Sequence, residues 1–350
     1  MKRALITAGL AAATALAAGC ASSAASSGSP GGGGSDPVVL RLGFLTNITH
    51  APALIGIAKG YFAKDLGKNV KLEVKPFSTG TEEGTALLAG QLDAAYVGPN
   101  PAIKAWQTSS GKLIKVISGA ASGGAALVVK KGITSQAQLK GQKLATPSLG
   151  NTQDVALRYW LKQHHLTSSQ TGGGDVPITP ITPNSAAVLQ FKSGQIAGGW
   201  EPAPYDIEMV QDGGHVLVNE ASLWPKGQFV TTNLVVTQKF LAANPSVVKG
   251  LLKGQIQANN YIHSNLSGAE AAANQELTSL LGKGLDPGVL SAAFQQITFT
   301  DDPIASSLAA DAQHAVAVGL LSPVQKISAL YDLGPLNAQL QAAGQPQVSS

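Results

Sequence analysis

The pattern of hydrophobic and polar positions predicts alternating strands and helices from about residue 38 onwards. Residues 38–44 are apolar except for Arg41, and residues 70–74 alternate between apolar and polar side chains, which predicts two strands. Between them, the apolar positions of residues 52–62 recur at helical spacing. The alternation continues to Trp200 and starts afresh after Val129. This order is typical of an α/β protein whose mostly parallel sheets are covered by helices on both faces.

The C-terminal third has a different pattern, which is mainly helical from Phe240 onwards. Apolar positions at helical spacing predict helices over residues 245–263, 287–294, 304–318 and 323–331. The chain from 336 to 350 is rich in Gln, Ala and Gly, so we expect it to be loosely ordered. About 310 residues follow position 37, which is more than one core usually holds and favours two lobes.

The first twenty residues have the pattern of an export signal. A positive start at residues 1–3 precedes an apolar stretch at 4–16, which is shorter than the roughly 20 residues of a transmembrane helix. Residues 16–20 read Leu-Ala-Ala-Gly-Cys and resemble the box of the bacterial lipoprotein signal. The resemblance implies that residues 1–20 are a signal peptide and that Cys20 becomes the lipidated first residue of the mature protein.

The segment after Cys20 predicts a tether. Residues 21–37 are mostly Ser, Ala and Gly, a composition typical of flexible linkers. We therefore expect a body outside the cytoplasm, anchored by lipid to the outer face of the cell membrane or periplasmic.

Composition argues against several classes of function. Cys20 is the single cysteine, so the body has neither a disulfide framework nor a cysteine metal site. The net charge is +4, the charges are interspersed, and only Arg3, Arg41 and Arg158 are arginines, which argues against a nucleic acid partner. The six histidines lack metal-ligand spacing, and neither a nucleophile elbow nor a phosphate-binding loop occurs. We expect a monomer that is not an enzyme and has no metal or cofactor.

Two segments in the two halves of the chain resemble each other. Residues 87–96 and 190–200 each run from a helix that ends in glycine, through Gln and an aliphatic residue, into a short strand with an aromatic residue. A proline-containing loop follows each, at residues 98–101 and 201–205. Ligands of open α/β sheets bind where such loops leave the carboxyl ends of strands. Two lobes with such loops predict a small-molecule site in the cleft between them.

An anion in this cleft would need hydrogen-bond donors, and the body has only two arginines. Helix N-termini supply free N–H groups and about half a positive charge each. Asn151 is a good N-cap, and residues 151–154 nearly form a capping box. Gly150 lets the backbone approach a ligand closely. A plain capped helix accounts for these residues equally well.

Three further side chains are candidates for the cleft. Asn100 lies between two prolines and is a candidate donor, with an ordinary turn as the alternative. His50 follows the first strand and is a candidate ligand contact. The alternatives are a buried histidine whose hydrogen bonds are all made within the protein, or a histidine on the surface. Trp200 is a candidate wall for the apolar part of a ligand, although a lone aromatic residue is more often part of a core.

Several segments resemble the substrate-binding proteins of ABC importers, in particular the branch for aliphatic sulfonates, taurine and nitrate. They are residues 43–44, 50–53, 58–62, 98–101, 149–154, 200–205 and 227–232. The resemblance implies a two-lobed, type II periplasmic-binding-protein fold, each lobe a mostly parallel sheet flanked by helices, with the ligand cleft between the lobes. Lobe 1 would comprise residues 38–126 and 231–335, and lobe 2 residues 127–230. The sequence departs from the family at Ala197, where an acidic residue is usual, and at Ala203 and Tyr205, where sulfonate binders often carry Glu and Trp.

The resemblance also implies a ligand, a partner and a set of contacts. The expected ligand is a small organic anion, and an aliphatic sulfonate is the favoured choice. The protein would deliver this ligand to an ABC permease. Taurine, nitrate or a heterocyclic or aromatic organic acid are the alternatives, and an enzyme or a sensor on the same scaffold is the alternative of another class. The expected ligand contacts are His50, Thr79, Gly98, Asn100, Ser122, Gly123, Asn151, Thr152, Gln153, Trp200, Glu201 and Thr232.

Overall fold

The computed structural model describes residues 37–324 and 326–350. The lipoprotein signal, the lipidation site at Cys20 and the tether up to residue 36 lie outside the described residues. Residues 37–350 form one compact unit that contains two β-sheets. We call the first sheet with the helices packed on it lobe 1, and the second sheet with its helices lobe 2.

Eleven strands make up the two sheets over the described residues. They are β1 (Val38–Leu45), β2 (Val70–Phe77), β3 (Ala94–Val97), β4 (Ile114–Gly123), β5 (Ala125–Lys130), β6 (Leu144–Thr146), β7 (Ile178–Pro180), β8 (Gly198–Pro202), β9 (Gly214–Asn219), β10 (Val230–Thr237) and β11 (Ile297–Phe299). Lobe 1 has the strand order β11-β4-β10-β3-β1-β2, and lobe 2 has the order β7-β6-β8-β5-β9.

Both sheets are mixed rather than mostly parallel, which corrects the expectation from the sequence. Strand β1 pairs in parallel with β2 and β3, and β6 pairs in parallel with β7 and β8. Strand β10 is antiparallel to both of its neighbours, and so is β5. These two strands lie next to the points where the chain changes sheets, so they enter their sheets against the direction of the βαβ units.

Thirteen α-helices cover the sheets over the described residues. They are α1 (Ala51–Ala58), α2 (Tyr61–Leu66), α3 (Gly80–Leu88), α4 (Pro99–Thr108), α5 (Thr152–Gln163), α6 (Asn184–Lys192), α7 (Tyr205–Gln211), α8 (Gln238–Ala243), α9 (Pro245–Ser264), α10 (Leu266–Leu281), α11 (Pro287–Gln295), α12 (Ala305–Ala317) and α13 (Gly334–Ala342). In the part of the chain that the structure describes, none of them is both long enough and apolar enough to cross a membrane.

Several helix predictions need correction. The helix predicted over residues 52–62 is two helices, because Gly60 has a left-handed φ of +67° and ends α1. The helix predicted over 323–331 is only the 3₁₀ turn Ile327–Leu330. Helix α10 carries no strong apolar pattern and was not predicted, since three of its four buried residues are alanines.

The chain passes from lobe 1 to lobe 2 and back again. The first crossing is at Gly123 and Gly124, whose φ angles are +86° and +74°. A Cβ at Gly124 would lie 2.4 Å from the side chain of Ile297, so glycine is required by sterics as well as by backbone conformation. The second crossing lies between β9 and β10. We infer that these two crossings are the lobe boundaries, close to the predicted residues 126/127 and 230/231.

The C-terminal tail is helical through Ala342, where the sequence led us to expect loose order from residue 336. Helix α13 packs on α9, and its Leu336 and Leu340 are 0% and 3% exposed in the largest apolar cluster. The two leucines are one helical turn apart and hold this segment on the core. The prediction of loose order was wrong because it used the Gln- and Ala-rich composition and not the spacing of these leucines.

Replacing Leu336 by alanine is expected to lower the free energy of unfolding by about 2–5 kcal/mol, because it leaves a cavity in a packed core. Denaturant unfolding measures the change. Leu189→Ala is the matched control, since that leucine is 66% exposed on α6. Equal stability of the two variants would show that α13 is not part of the core.

Candidate functional site

The cleft between the lobes contains a cavity of about 30 Å³. Lobe 1 and the crossings contribute Leu45, Asn47, Thr49, His50, Ser78, Thr79, Gly80, Gly98, Pro101 and Thr231 to its lining. Lobe 2 contributes Pro147, Asn151, Thr152, Gln153, Asn184 and Pro202. The lobes touch around it, because the hydroxyls of Thr81 and Ser148 lie 2.8 Å apart. The cleft is therefore closed.

Three helices begin at this cavity. Helix α3 is capped by Thr79, whose hydroxyl oxygen accepts the N–H of Glu82 at 3.3 Å. Helix α5 is capped by Asn151, whose Oδ1 accepts the N–H of Asp154 at 2.9 Å. Helix α6 begins at Asn184. First-turn N–H groups have no acceptor within their own helix, and each helix start carries about half a positive charge.

A fourth helix start offers fewer N–H donors than the other three. Helix α4 has Pro99 and Pro101 in its first turn, and proline has no N–H group. Its N-cap Gly98 faces the other lobe so closely that a Cβ there would lie 2.7 Å from Oγ1 of Thr152. The close approach of α4 to α5 thus depends on a glycine at this position.

The loop before α5 is fixed by a buried ion pair. Nε of Arg158 donates to Oδ2 of Asp154 at 2.9 Å, and the side chains are 2% and 0% exposed. The same carboxylate accepts the N–H of Gly150 and the hydroxyl of Thr146, each at 2.9 Å. Asp154 therefore positions the residues that lead into Asn151 without lining the cavity itself.

His50 is buried and contributes a neutral ring to the cavity. Its Nδ1 accepts the backbone N–H of Leu45 at 3.1 Å, so the ring proton lies on Nε2, which leaves a donor at the cavity wall. Burial lowers the pKa of His50 to about 3.

Because His50 is neutral throughout, ligand affinity is expected to stay constant between about pH 5 and pH 8, the range in which an unperturbed histidine changes charge. A positive ring would appear only as the pH falls towards 3. Calorimetric titration at several pH values measures this. An affinity that rises several-fold as the pH falls through 6.5 would mean that His50 titrates as an ordinary histidine.

The cavity lining contains no lysine or arginine. The two arginines of the described chain are paired elsewhere, Arg41 with Asp93 at 2.7 Å and Arg158 with Asp154. No carboxylate lines the cavity either. The site offers N–H groups, hydroxyls and amides from three helix starts, which suits a single negative charge better than a cation.

Six of the predicted contact residues line the cavity together. They are His50, Thr79, Gly98, Asn151, Thr152 and Gln153. Four other predicted contacts do not line it: Asn100, Ser122, Gly123 and Thr232. Nδ2 of Asn100 donates to the backbone carbonyl of Asp311 at 3.2 Å, and Oγ of Ser122 accepts the N–H of Phe229 at 3.2 Å. Gly123 is part of the first crossing, and Thr232 is fully buried in β10 while its neighbour Thr231 lines the cavity.

Trp200 does not line the cavity. It is fully buried in the core of lobe 2, where its indole N–H donates to Oε2 of Glu220 at 2.7 Å and its ring lies 6.3 Å from that of Trp160. Strand β8 extends to Pro202, two residues further than predicted, and it is Pro202 that reaches the cavity. The side chain of Trp200 instead packs on the face that α5 covers.

Glu201 lies behind the cavity wall. Its Oε2 accepts Nδ2 of Asn184 at 3.1 Å, and burial, with a further contribution from Asp206, raises its pKa well above the usual range. Asn184 lines the cavity and was missed by the sequence analysis. The sequence signal that could have indicated Asn184 is an asparagine directly after a proline at the start of a helix.

Nine further residues line the cavity but were not among the predicted contacts, and most of them lie next to a strand end or next to a predicted contact. They are Leu45, Asn47, Thr49, Ser78, Gly80, Pro101, Pro147, Pro202 and Thr231. Over residues 37–324 and 326–350, no group of three or more His, Cys, Asp or Glu side chains is arranged to hold a metal ion.

Two mixed sheets, two crossings and a closed cavity between them define the periplasmic-binding-protein fold. The alkanesulfonate-binding protein from Xanthomonas axonopodis pv. citri, solved with bound MOPS, superposes with a TM-score of 0.70 at 18% identity, covering 86% of this chain and 100% of that one. The periplasmic nitrate-binding protein from Synechocystis PCC 6803 superposes with a TM-score of 0.71 at 16% identity, covering 89% and 90%. These likenesses confirm the predicted two-lobed fold.

The sequence profile of the NMT1-like family matches residues 33–279. The chain belongs to this family. Among curated relatives, the taurine-binding periplasmic protein of Escherichia coli strain K12 is 27% identical over 213 residues, which cover 59% of this chain and 62% of that protein. The predicted resemblance to the sulfonate, taurine and nitrate branch is thereby confirmed.

Proposed function

We propose that this protein is the extracytoplasmic solute-binding component of an ABC importer, which captures a small anion in the closed cleft and delivers it to the permease. The observation that carries the proposal is the convergence of α3, α5 and α6 on a cavity without any charged side chain. Three helix starts together supply about 1.5 positive charges, which offsets most of the cost of burying one anion.

The proposed ligand is an aliphatic sulfonate with a short chain. A tetrahedral sulfonate head has three oxygens for the first-turn N–H groups and hydroxyls, while Leu45, Pro101, Pro147 and Pro202 supply an apolar wall for a few carbon atoms. Relatives named for alkanesulfonate and taurine support this ligand class. A space of about 30 Å³ holds only one or two waters, so even a short sulfonate requires the lobes to move slightly apart from their positions in this structure.

A second candidate is a planar anion of the nitrate type. The observation that favours it is the size of the cavity, about 30 Å³, together with a lining that is mainly polar. A solved neighbour is named for nitrate, which supports the same class.

Anchoring and assembly complete the proposal. The lipoprotein box at residues 16–20 supports a lipid anchor on Cys20, and the flexible tether after it supports a body that reaches a permease in the same membrane. We propose no catalytic role: the one histidine at the cavity has Nδ1 engaged by Leu45, so it is not poised as a base for a nearby hydroxyl.

Calorimetric titration of the purified protein tests the function and separates the candidates. The panel comprises methanesulfonate, longer alkanesulfonates, taurine, nitrate and sulfate. The account predicts tight binding of methanesulfonate, with affinity falling as the chain lengthens. Taurine is expected to bind less tightly, because the lining offers no carboxylate to its ammonium group. Sulfate is expected to be weaker by about tenfold or more, because a second buried charge lacks a cation. Nitrate binding without sulfonate binding would select the second candidate. Binding of none of these anions would contradict the proposed ligand class.

A further inference from the structure

A second cavity, of about 320 Å³, lies outside the cleft. It is bordered by α5, by α12, and by the 3₁₀ turn Glu220–Leu223 with Trp224 directly after it. Its aromatic and ionisable lining residues are Tyr159, Trp160, His164, Glu220, Trp224 and His314. None of these residues lines the anion cavity, so any ligand here is distinct from the proposed transport solute.

Aromatic rings form the walls of this cavity. Tyr159 stacks on His314 with ring centroids 3.7 Å apart, and Trp224 lies 5.4 Å from the same imidazole. Trp224 also stacks on the buried Phe229 at 5.8 Å, and Trp160 is only 8% exposed. The rings are thus held by neighbours rather than free to collapse into the space between them.

A carboxyl group without a cation lines the same cavity. Glu220 is 1% exposed, and Asp311, whose Oδ2 has no hydrogen-bond partner, is buried close by. Neither carboxyl belongs to any of the ion pairs of the described residues. Burial raises the pKa of Glu220 to about 7, while hydrogen bonds from the indoles of Trp200 and Trp224 lower it.

No lysine or arginine in the cavity lining competes for this carboxyl. Burial lowers the pKa of His314 to about 4, so that this ring is neutral near pH 7. Aromatic faces and a carboxylate are the two features that attract an organic cation, the first through the ring quadrupole and the second through its charge.

The geometry points to a second binding site in this aromatic cavity, for a small quaternary ammonium cation. The methylated head group packs against Tyr159, Trp160 and Trp224, and Glu220 balances its charge. The volume falls in the range of small-ligand pockets, about 300–1,000 Å³. A neutral aromatic molecule would fill the space but leave the carboxyl unpaired, so charge decides the class of ligand.

Calorimetry of the full-length protein with choline and with 3,3-dimethylbutan-1-ol tests the proposal. The two probes have nearly the same shape, and only choline is charged. Choline is expected to bind at least about tenfold more tightly than the alcohol, a difference of about 1.4 kcal/mol. Equal affinities for the two probes, or no binding of choline, would overturn the proposal.

Variants locate the site. Glu220→Gln keeps an oxygen that can accept the indole N–H of Trp200, and Trp224→Leu removes one wall. Each is expected to weaken choline binding by about tenfold or more. Glu276→Gln on α10 is the matched control, since it removes a carboxylate far from the cavity lining.

Thermal unfolding and methanesulfonate titration of the same variants complete the experiment. Both are expected to be close to wild type for Glu220→Gln, because the anion cavity does not include position 220. A failure of methanesulfonate binding in wild-type protein would concern the proposed function alone. Unchanged choline affinity in Glu220→Gln would overturn the assignment of this cavity.

Discussion

Alanine at position 98 is expected to weaken anion binding about 5- to 150-fold, the equivalent of an overpacking cost of about 1–3 kcal/mol. The added Cβ would lie 2.7 Å from Oγ1 of Thr152 and 3.6 Å from the backbone oxygen of Thr231. The contact with Thr152 exists only while the lobes are together, whereas Thr231 belongs to the same lobe as Gly98 and lies at an ordinary contact distance. The φ of Gly98, −66°, is compatible with alanine. The substitution is therefore expected to destabilise the closed cleft without lowering the stability of the fold.

Calorimetric titration with the anion that the wild-type protein binds measures this effect. Gly132→Ala is the matched control, because a Cβ at Gly132 meets nothing within 4 Å. In a double-mutant cycle with Thr152→Ala, the loss caused by Gly98→Ala is expected to shrink, since the opposing hydroxyl is gone. Wild-type affinity in Gly98→Ala would show that the ligand does not require closure at this contact.

Asparagine at position 154 is expected to lower the free energy of unfolding by about 3–5 kcal/mol, since it leaves a buried guanidinium without its counter-charge. Oδ2 of Asp154 accepts both Nε of Arg158 and the N–H of Gly150, and Oδ1 accepts the hydroxyl of Thr146. Asparagine has one acceptor oxygen, so it cannot replace all three bonds. The loop before Asn151 is expected to loosen, which lowers anion affinity as well.

Denaturant unfolding measures this change, with Asp212→Asn as the matched control. Asp212 pairs with Lys192 at 2.7 Å, and because the lysine is 64% exposed that pair should contribute less than about 1 kcal/mol. The double variant Asp154→Leu with Arg158→Met is expected to recover much of the stability, because it removes both charges. A small loss in Asp154→Asn alone would show that the ion pair is not what holds the start of α5.

The architecture was largely predictable from the sequence because its signals are local. The strands expected at residues 38–44 and 70–74 are β1 and β2, and the helix expected at 245–263 differs from α9 by one residue at its C-terminal end. Strand direction was not predictable in the same way. Alternation of strands and helices indicates parallel pairs, whereas β5 and β10 run antiparallel because of how the chain changes sheets.

The candidate site was predicted where helix caps mark it. Thr79 and Asn151 carry recognisable capping chemistry, and both line the cavity. The aromatic residues that end the two similar segments, Tyr96 and Trp200, are both fully buried and hydrogen-bonded within their own lobes, to Gln255 and Glu220. A sequence repeat shows that two strands are alike but not which face of the sheet an aromatic side chain occupies.

Composition suggested that arginine would not hold the anion, because the body has only two arginines. Their pairing with Asp93 and Asp154 could not be predicted, because both contacts depend on how the elements pack. The same holds for Asn184, which reaches the cavity only because α6 begins there.

A crystal structure of the protein with methanesulfonate tests the central claim most directly. The account predicts the sulfonate in the closed cleft, with its oxygens about 3 Å from first-turn N–H groups of α3 and α5 and with no lysine or arginine in contact. A sulfonate bound outside the cleft, or one held there by a lysine or arginine side chain, would contradict a site built from helix starts.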